Sequence, residues 1–181
     1  MVNIHITGAL GSGTSTLGRA LAAKIDALHL DSDDFYWLPT NPPFQRPRPV
    51  DDRVALFLQK ASPARSWVLS GSALKWGRPF ETHYHLVVFL QVDAGIRMER
   101  LRRRETARYG KRVQPFGDMA LQSAEFLSWA ESYDTAGPER RSLAAHEQWL
   151  AGRICPVLRL DSAQPIEALI DDILQHPVFE R

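Results

Sequence analysis

Cysteine is nearly absent from this chain, since Cys155 is the only one among 181 residues. A single thiol excludes an intrachain disulfide and a cysteine-rich metal cluster. Long apolar runs are also missing, because no run approaches the roughly twenty residues that a helix needs to cross a bilayer. The amino terminus leads directly into a strand pattern, with no charged and then apolar leader. We therefore expect a soluble, cytoplasmic protein that does not contact a membrane.

The chain also lacks an excess of charge of either sign. Its formal net charge is +1 at pH 7, so no global field favours nucleic acid, and we expect no nucleic-acid partner. Arginine supplies most of the positive charge, because lysine occurs only at positions 24, 60, 75 and 111. The planar guanidinium group suits two-point recognition of phosphate, although a biased codon usage would give the same composition.

The most informative stretch is NIHITGALGSGTST, residues 3–16. It predicts a buried strand, a glycine-rich turn and a helix that begins near Thr14. Backbone N–H groups in such a turn point inward, and the helix adds the positive end of its dipole, so the loop can hold a phosphate group without any side chain. The predicted phosphate-binding residues are Gly8, Ala9, Gly11, Ser12, Gly13, Thr14, Ser15 and Thr16.

One residue of this loop departs from the phosphate-loop pattern G-x-x-x-x-G-K-[ST]. Gly8, Gly13 and Ser15 are in register, but Thr14 stands where the pattern has lysine. Ser15 is the expected Mg²⁺ ligand. Threonine donates a hydrogen bond but carries no charge, and the loss of one preorganised electrostatic contact typically lowers a rate by about 10²- to 10³-fold. Either another cation replaces the lysine, or the protein binds nucleotide and turns it over poorly.

A dinucleotide-binding turn and a purely structural turn are the alternatives. Asp31 follows the loop by roughly twenty residues, where a carboxylate binds the ribose in dinucleotide-binding folds. The spacing does not fit G-x-G-x-x-G, because Gly11 and Gly13 are followed by Thr16. A nicotinamide-dependent oxidoreductase is therefore the weaker alternative.

Apolar strand patterns alternate with helical patterns along the chain. This alternation predicts one domain, residues 1–181, with a parallel sheet of about five strands and helices on both faces, a three-layer α/β fold. Residues 35–65 begin with a segment rich in proline and aromatic residues, which we interpret as an insertion that binds the phosphate acceptor. Residues 105–118 are polar and broken by glycine and proline, and we interpret them as a mobile lid.

This order of elements, together with GALGSGTST, resembles the P-loop kinases of small molecules, the adenylate kinase and uridine kinase group. The sequence Asp33-Asp34-Phe35-Tyr36 looks like the D-x-F-[YF] signature of uridine and nicotinamide riboside kinases. The resemblance implies that Asp33 accepts the proton of the acceptor hydroxyl, which is chemistry that a carboxylate near the transferring phosphate can perform. Alternatively, these acidic residues cap a turn. Asp31 or Asp34 could hold Mg²⁺ through water.

Residues 87–104 are similar to the fourth strand and following helix of adenylate and shikimate kinases. In those enzymes, arginines in this helix and in the lid hold the transferring phosphates. The resemblance implies the same role for Arg100, Arg104 and Arg108, whose i, i+4, i+8 spacing places them along one side of a continuing helix. They are also the expected replacements for the missing lysine. The alternative is a solvated basic face that pairs with Glu99 and Glu105.

These observations predict an ATP-dependent phosphotransferase that acts on a nucleoside, a nucleotide or another small metabolite with a hydroxyl group. The expected catalytic residues are Asp33, Arg100, Arg104 and Arg108, and the expected Mg²⁺ ligands are Ser15 and Asp31. Adenylate kinases carry an aspartate after the third strand, where this chain has Ser70-Gly71-Ser72. Either Ser15 and the acidic residues after the second strand hold Mg²⁺, or metal binding is weak. The alternative is a nucleotide-binding protein with little or no turnover. The oligomeric state does not follow from the sequence.

Overall fold

A central parallel sheet organises residues 1–180, the part of the chain that this computed structural model describes. Within those residues it has five strands in the order β2-β3-β1-β4-β5. This confirms the predicted α/β sheet. The strands are β1 (Asn3–Gly8), β2 (Leu28–Asp31), β3 (Trp67–Ser70), β4 (Leu86–Gln91) and β5 (Val157–Asp161).

Helices cover both faces of the sheet. They are α1 (Thr14–Lys24), α2 (Ser32–Tyr36), α3 (Val50–Ala61), α4 (Ala94–Tyr109), α5 (Ala120–Glu131), α6 (Leu143–Ala151) and α7 (Ile166–Leu174). Because side chains alternate along a strand, β4 contributes Val88 to the core beneath α1 and α7, and Phe89 to the opposite core beneath α3. Burial on both faces explains why β4 is apolar almost throughout. No helix within residues 1–180 is both long and apolar enough to cross a membrane.

Helix α4 is longer than the sequence indicated. The polar segment 105–118 was expected to be a mobile lid, but its first five residues belong to α4, which continues to Tyr109. Glu105 is buried at 6% exposure, and its carboxylate accepts a hydrogen bond of 3.0 Å from the Ser123 hydroxyl of α5. This long-range partner satisfies a polar residue that would otherwise favour solvent. The helix is followed by a 3₁₀ turn, Gly110–Val113.

The burial of two histidines predicts that the protein is less stable at acidic pH. His5 lies in β1 and His146 in α6, and burial lowers the pKa of each from 6.5 to about 3. The unfolded chain therefore takes up these protons at a higher pH than the folded chain does. The free energy of unfolding should fall as the pH drops through this range, by up to about 1.4 kcal/mol per pH unit for each histidine.

Urea unfolding measured between about pH 7 and about pH 4 tests this dependence. We expect His5→Gln and His146→Gln each to flatten the slope, because the uncharged amide does not titrate. The exposed His83→Gln is the control and should keep the slope. A free energy of unfolding that stays constant over this pH range would contradict the prediction.

Candidate active site

The glycine-rich loop joins the end of β1 to the start of α1. Gly11 and Gly13 have φ angles of 80° and 89°, which lie in the left-handed region that favours glycine. At Gly8, a Cβ atom would lie 2.5 Å from the Leu90 carbonyl oxygen, so only glycine fits there. Helix α1 begins at Thr14, as predicted, and Gly13 offers no side-chain cap. The first N–H groups of α1 are therefore free of a side-chain partner, as an anion-binding helix terminus requires.

The loop has two features that fit a bound phosphate group. The Ser12 hydroxyl is buried and has no hydrogen-bond partner in the protein. A Cβ atom at Gly13 would meet no other atom within 4 Å, so the space beside the loop is open. Ser15 lies in the first turn of α1 and is partly exposed, which fits its predicted place beside the phosphates.

Asp31 lies at the carboxyl end of β2 and caps α2. One carboxylate oxygen accepts a hydrogen bond of 3.1 Å from the Asp33 backbone N–H, and the other is 3.5 Å from the Ser70 hydroxyl. Asp31 therefore caps the turn into α2, as one interpretation of the sequence expected. Residues 1–180 contain no cluster of three or more histidine, cysteine or acidic side chains that could hold a metal ion. The predicted ligands Ser15 and Asp31 would fit only a Mg²⁺ that is also held by phosphate oxygens and water, which is the usual mode for Mg²⁺.

A cavity of about 1030 Å³ opens beside the loop, and Asp33 lines it. Asp33 keeps exposed surface towards this open space, but the surrounding protein raises the pKa of its carboxyl group above the ordinary value. The charge on Asp31 raises that pKa further, and Arg141, Arg104 and Arg108 oppose both effects. The carboxylate thus faces the cavity with a raised basicity and with cations around it, as a general base requires.

The cavity wall combines aromatic and basic side chains. This composition suits a small acceptor that carries polar groups on an apolar frame. The aromatic members are Tyr36, Trp37, Phe44, Trp76, Tyr109, Phe126, Trp129 and Trp149, and the basic members are Arg53, Lys75, Arg104, Arg108, Arg140 and Arg141.

The three predicted arginines do not share one location. Arg104 and Arg108 line the cavity, and the Arg108 guanidinium group lies 4.5 Å from the centre of the Phe44 ring. Arg100 instead donates a hydrogen bond of 3.0 Å to the Ser162 carbonyl and contacts the Gly11 carbonyl at 3.5 Å. It therefore lies at the phosphate loop, about two helical turns from Arg108.

Arg141 belongs to the site, although the sequence analysis missed it. It lines the cavity together with Asp33, and its Nη2 donates a hydrogen bond of 3.0 Å to the carbonyl of Gly8. These two residues are separated by 133 positions in the chain. No local pattern marks Arg141, because it lies in an irregular segment just before α6.

Residues 4–126 match a protein family described as an AAA domain. The chain is also similar to the Uncharacterized protein YqaC of Bacillus subtilis (strain 168). The two sequences are 42% identical over 174 residues, and the match covers 96% of each chain.

Solved structures of P-loop kinases share the fold at low sequence identity. A shikimate kinase from Bacteroides thetaiotaomicron is 17% identical, with a TM-score of 0.56 over 99% of both chains. A gluconokinase from Sinorhizobium meliloti 1021 is 17% identical, with a TM-score of 0.51 over 96% of this chain and 89% of its own. A deoxyadenosine kinase from M. mycoides is 11% identical, with a TM-score of 0.51 over 96% of this chain and 97% of its own. None of these relatives supports the oxidoreductase alternative.

Proposed function

This chain belongs to the AAA domain family, and we propose that it is a phosphotransferase. Its fold is that of the P-loop kinases, and the solved neighbours described above are named for small-molecule kinases. We infer that the protein transfers a phosphoryl group from ATP, with Mg²⁺, to a hydroxyl group of a small metabolite. The observation that carries this proposal is Asp33, a carboxylate with a raised pKa that faces a cavity beside the glycine-rich loop.

Each part of the site has a separate task in this proposal. The loop and the first turn of α1 bind the nucleotide phosphates through backbone N–H groups. Ser15 and Asp31 would hold Mg²⁺, which would help neutralise the phosphate charge, and ATP supplies the phosphoryl group. Asp33 orients the acceptor hydroxyl and receives its proton while the oxygen of that hydroxyl forms its bond to the γ-phosphorus of ATP. The bond between that phosphorus and the bridging oxygen breaks at the same time, and ADP leaves with the electron pair.

Arginines neutralise the charge that moves during the transfer. Arg104 and Arg108 lie on the cavity side. Partial desolvation lowers the pKa of Arg104, and the positive charge of Arg108 lowers it further by a smaller amount. Two neighbouring cations are stabilised when an anion joins them, so this pair favours a negatively charged reacting group. Arg100 holds the loop in position through Gly11.

We assign acceptor binding to residues 35–65 and the lid to residues 105–118, whose first five residues form the end of α4. Tyr36, Trp37, Phe44 and Arg53 of the first segment line the cavity. The lid assignment includes Arg108, which contacts the first segment through Phe44. The two segments therefore meet across the cavity, as segments that enclose an acceptor should.

A screen of hydroxyl-bearing metabolites for ATP-dependent phosphorylation tests this function. We expect at least one phosphorylated product, and a thermal-shift panel should show stabilisation by Mg-ATP rather than by NAD(H). Tight Mg-ATP binding without transfer to any acceptor or to water would favour the second candidate, a nucleotide-binding protein with little turnover. The uncharged Thr14 is the observation that supports that candidate.

A further inference from the structure

The phosphate loop lacks a positive charge of its own, because Thr14 replaces the lysine of the pattern. A nucleoside triphosphate that binds there concentrates negative charge near the loop. Backbone N–H groups provide only partial charges, so a full positive charge nearby would strengthen binding considerably. In the proposed function, on which this inference rests, that charge comes from a residue outside the loop.

Arg141 is the cation whose guanidinium group contacts the start of the loop. Its Nη2 donates to the Gly8 carbonyl at 3.0 Å, and its Nε is buried without any hydrogen-bond partner. Residue 141 keeps some exposed surface, and that surface belongs to the cavity that Asp33 also lines. The guanidinium group thus contacts the loop, lines the same cavity as the proposed base, and has donor capacity that the protein leaves unused.

Two anchors hold Arg141 in this place. The next residue, Ser142, caps α6, because its hydroxyl oxygen accepts a hydrogen bond of 3.0 Å from the Ala145 N–H and donates one of 2.8 Å to the Gly137 carbonyl. One turn later, the ring of His146 contacts the Tyr133 hydroxyl at 2.8 Å and the Thr7 hydroxyl at 3.2 Å.

Thr7 directly precedes Gly8 in β1, so the segment that carries Arg141 is tied to the strand that carries the loop. His146 remains neutral at physiological pH, because burial lowers its pKa to about 3. The anchor therefore adds no competing positive charge.

The other arginines near the site make different contacts. Arg100 donates its Nη2 hydrogen bond to the Ser162 carbonyl. Arg104 and Arg108 line the cavity and lie over aromatic rings of its wall, and in the described part of the chain neither donates a hydrogen bond to the loop. We propose that Arg141 supplies the positive charge that Thr14 lacks, by contacting the nucleotide phosphates bound at the loop. Arg141 is then a catalytic residue of the proposed reaction.

A double-mutant cycle between Thr14 and Arg141 tests the proposal. Affinities for ATP, ADP and AMP, each with Mg²⁺, are measured by calorimetry for the wild type, Arg141→Met, Thr14→Lys and the double variant. We expect Arg141→Met to weaken ATP binding by about 10-fold to 100-fold, with a smaller loss for ADP and little loss for AMP. Lysine at position 14 should restore most of this affinity in the Arg141→Met background, yet add little to the wild type.

Control variants distinguish a loss of charge from a loss of structure, and a failure of this inference from a failure of the proposed function. Arg102→Met removes an exposed arginine from α4 and should leave all three affinities unchanged. Arg141→Lys should retain part of the ATP affinity, which gives a readout even if Arg141→Met does not fold. If Arg141→Met binds ATP as tightly as the wild type, or if Thr14→Lys strengthens binding equally in both backgrounds, the inference is overturned. If the wild type binds none of the three nucleotides, the proposed function itself fails.

Discussion

Replacing Asp33 with asparagine should reduce phosphotransfer by about 10²- to 10⁴-fold and leave nucleotide binding nearly unchanged. Asparagine keeps the size of the side chain but cannot take the proton of the acceptor hydroxyl. Asp33 lies in the cavity wall and is not part of the glycine-rich loop, so the contacts of the loop with the nucleotide should not change. The measurement is the rate with the acceptor that the metabolite screen identifies, together with ATP affinity by calorimetry.

Two further readouts distinguish a general base from a structural carboxylate. Partial desolvation by the surrounding protein, and then the charge on Asp31, raise the pKa of Asp33, so the wild-type rate should rise with pH as this carboxyl group ionises. In the folded protein this acid binds its proton more tightly than in the unfolded chain. Above the unfolded pKa, ionisation of Asp33 therefore lowers the free energy of unfolding, and Asp33→Asn should raise the melting temperature at neutral pH.

The control for Asp33→Asn is Asp172→Asn, which removes an exposed carboxylate from α7. This variant should match the wild type in rate and in melting temperature. The assignment of Asp33 as the base fails if Asp33→Asn retains more than about a tenth of the wild-type rate, since general-base catalysis contributes at least about 10²-fold.

Gly11→Ala should destabilise the protein by about 2–5 kcal/mol, much more than Gly13→Ala does. Both glycines have a left-handed φ, which costs an alanine about 1–2 kcal/mol. At Gly11 the new Cβ atom would also lie 2.7 Å from the Arg97 carbonyl oxygen, a backbone atom of α4 that cannot rotate away. At Gly13 the same atom would enter open space, so only the backbone strain applies.

Urea or guanidinium unfolding of the two glycine variants provides the comparison. We also expect Gly11→Ala to weaken Mg-ATP binding, because the loop and α4 must move apart. Equal losses of stability in the two variants would show that the contact between the loop and α4 is less tight than the structure indicates.

Local patterns in the sequence were sufficient to predict the fold and the glycine-rich turn before α1. The order of strands and helices follows from periodicity, and Thr14 begins α1 as the glycine-rich turn indicated. The predicted end of α4 was wrong because a glutamate such as Glu105 is usually exposed to solvent. Its burial depends on Ser123, a partner that lies on another helix and that periodicity alone does not indicate.

The site was predictable only where its residues follow a strand or a motif. Asp33 lies directly after β2 and within a recognisable signature, and the structure places it in the cavity. Arg141 had no such signal, because its position depends on the tertiary contact with Gly8. Helical spacing placed Arg100 with Arg104 and Arg108, but it gave no account of the carbonyl groups of Gly11 and Ser162 that Arg100 contacts.

Helix α4 joins the glycine-rich loop to the segment that carries Phe44. Arg100 contacts the loop and Arg108 lies over Phe44, and at 1.5 Å of rise per residue they are separated by about 12 Å along the helix axis. Inserting or deleting one residue between them would rotate the distal part of α4 by about 100° and turn Arg108 away from Phe44. A one-residue change of length in this stretch would therefore separate two contacts that α4 now makes at the same time.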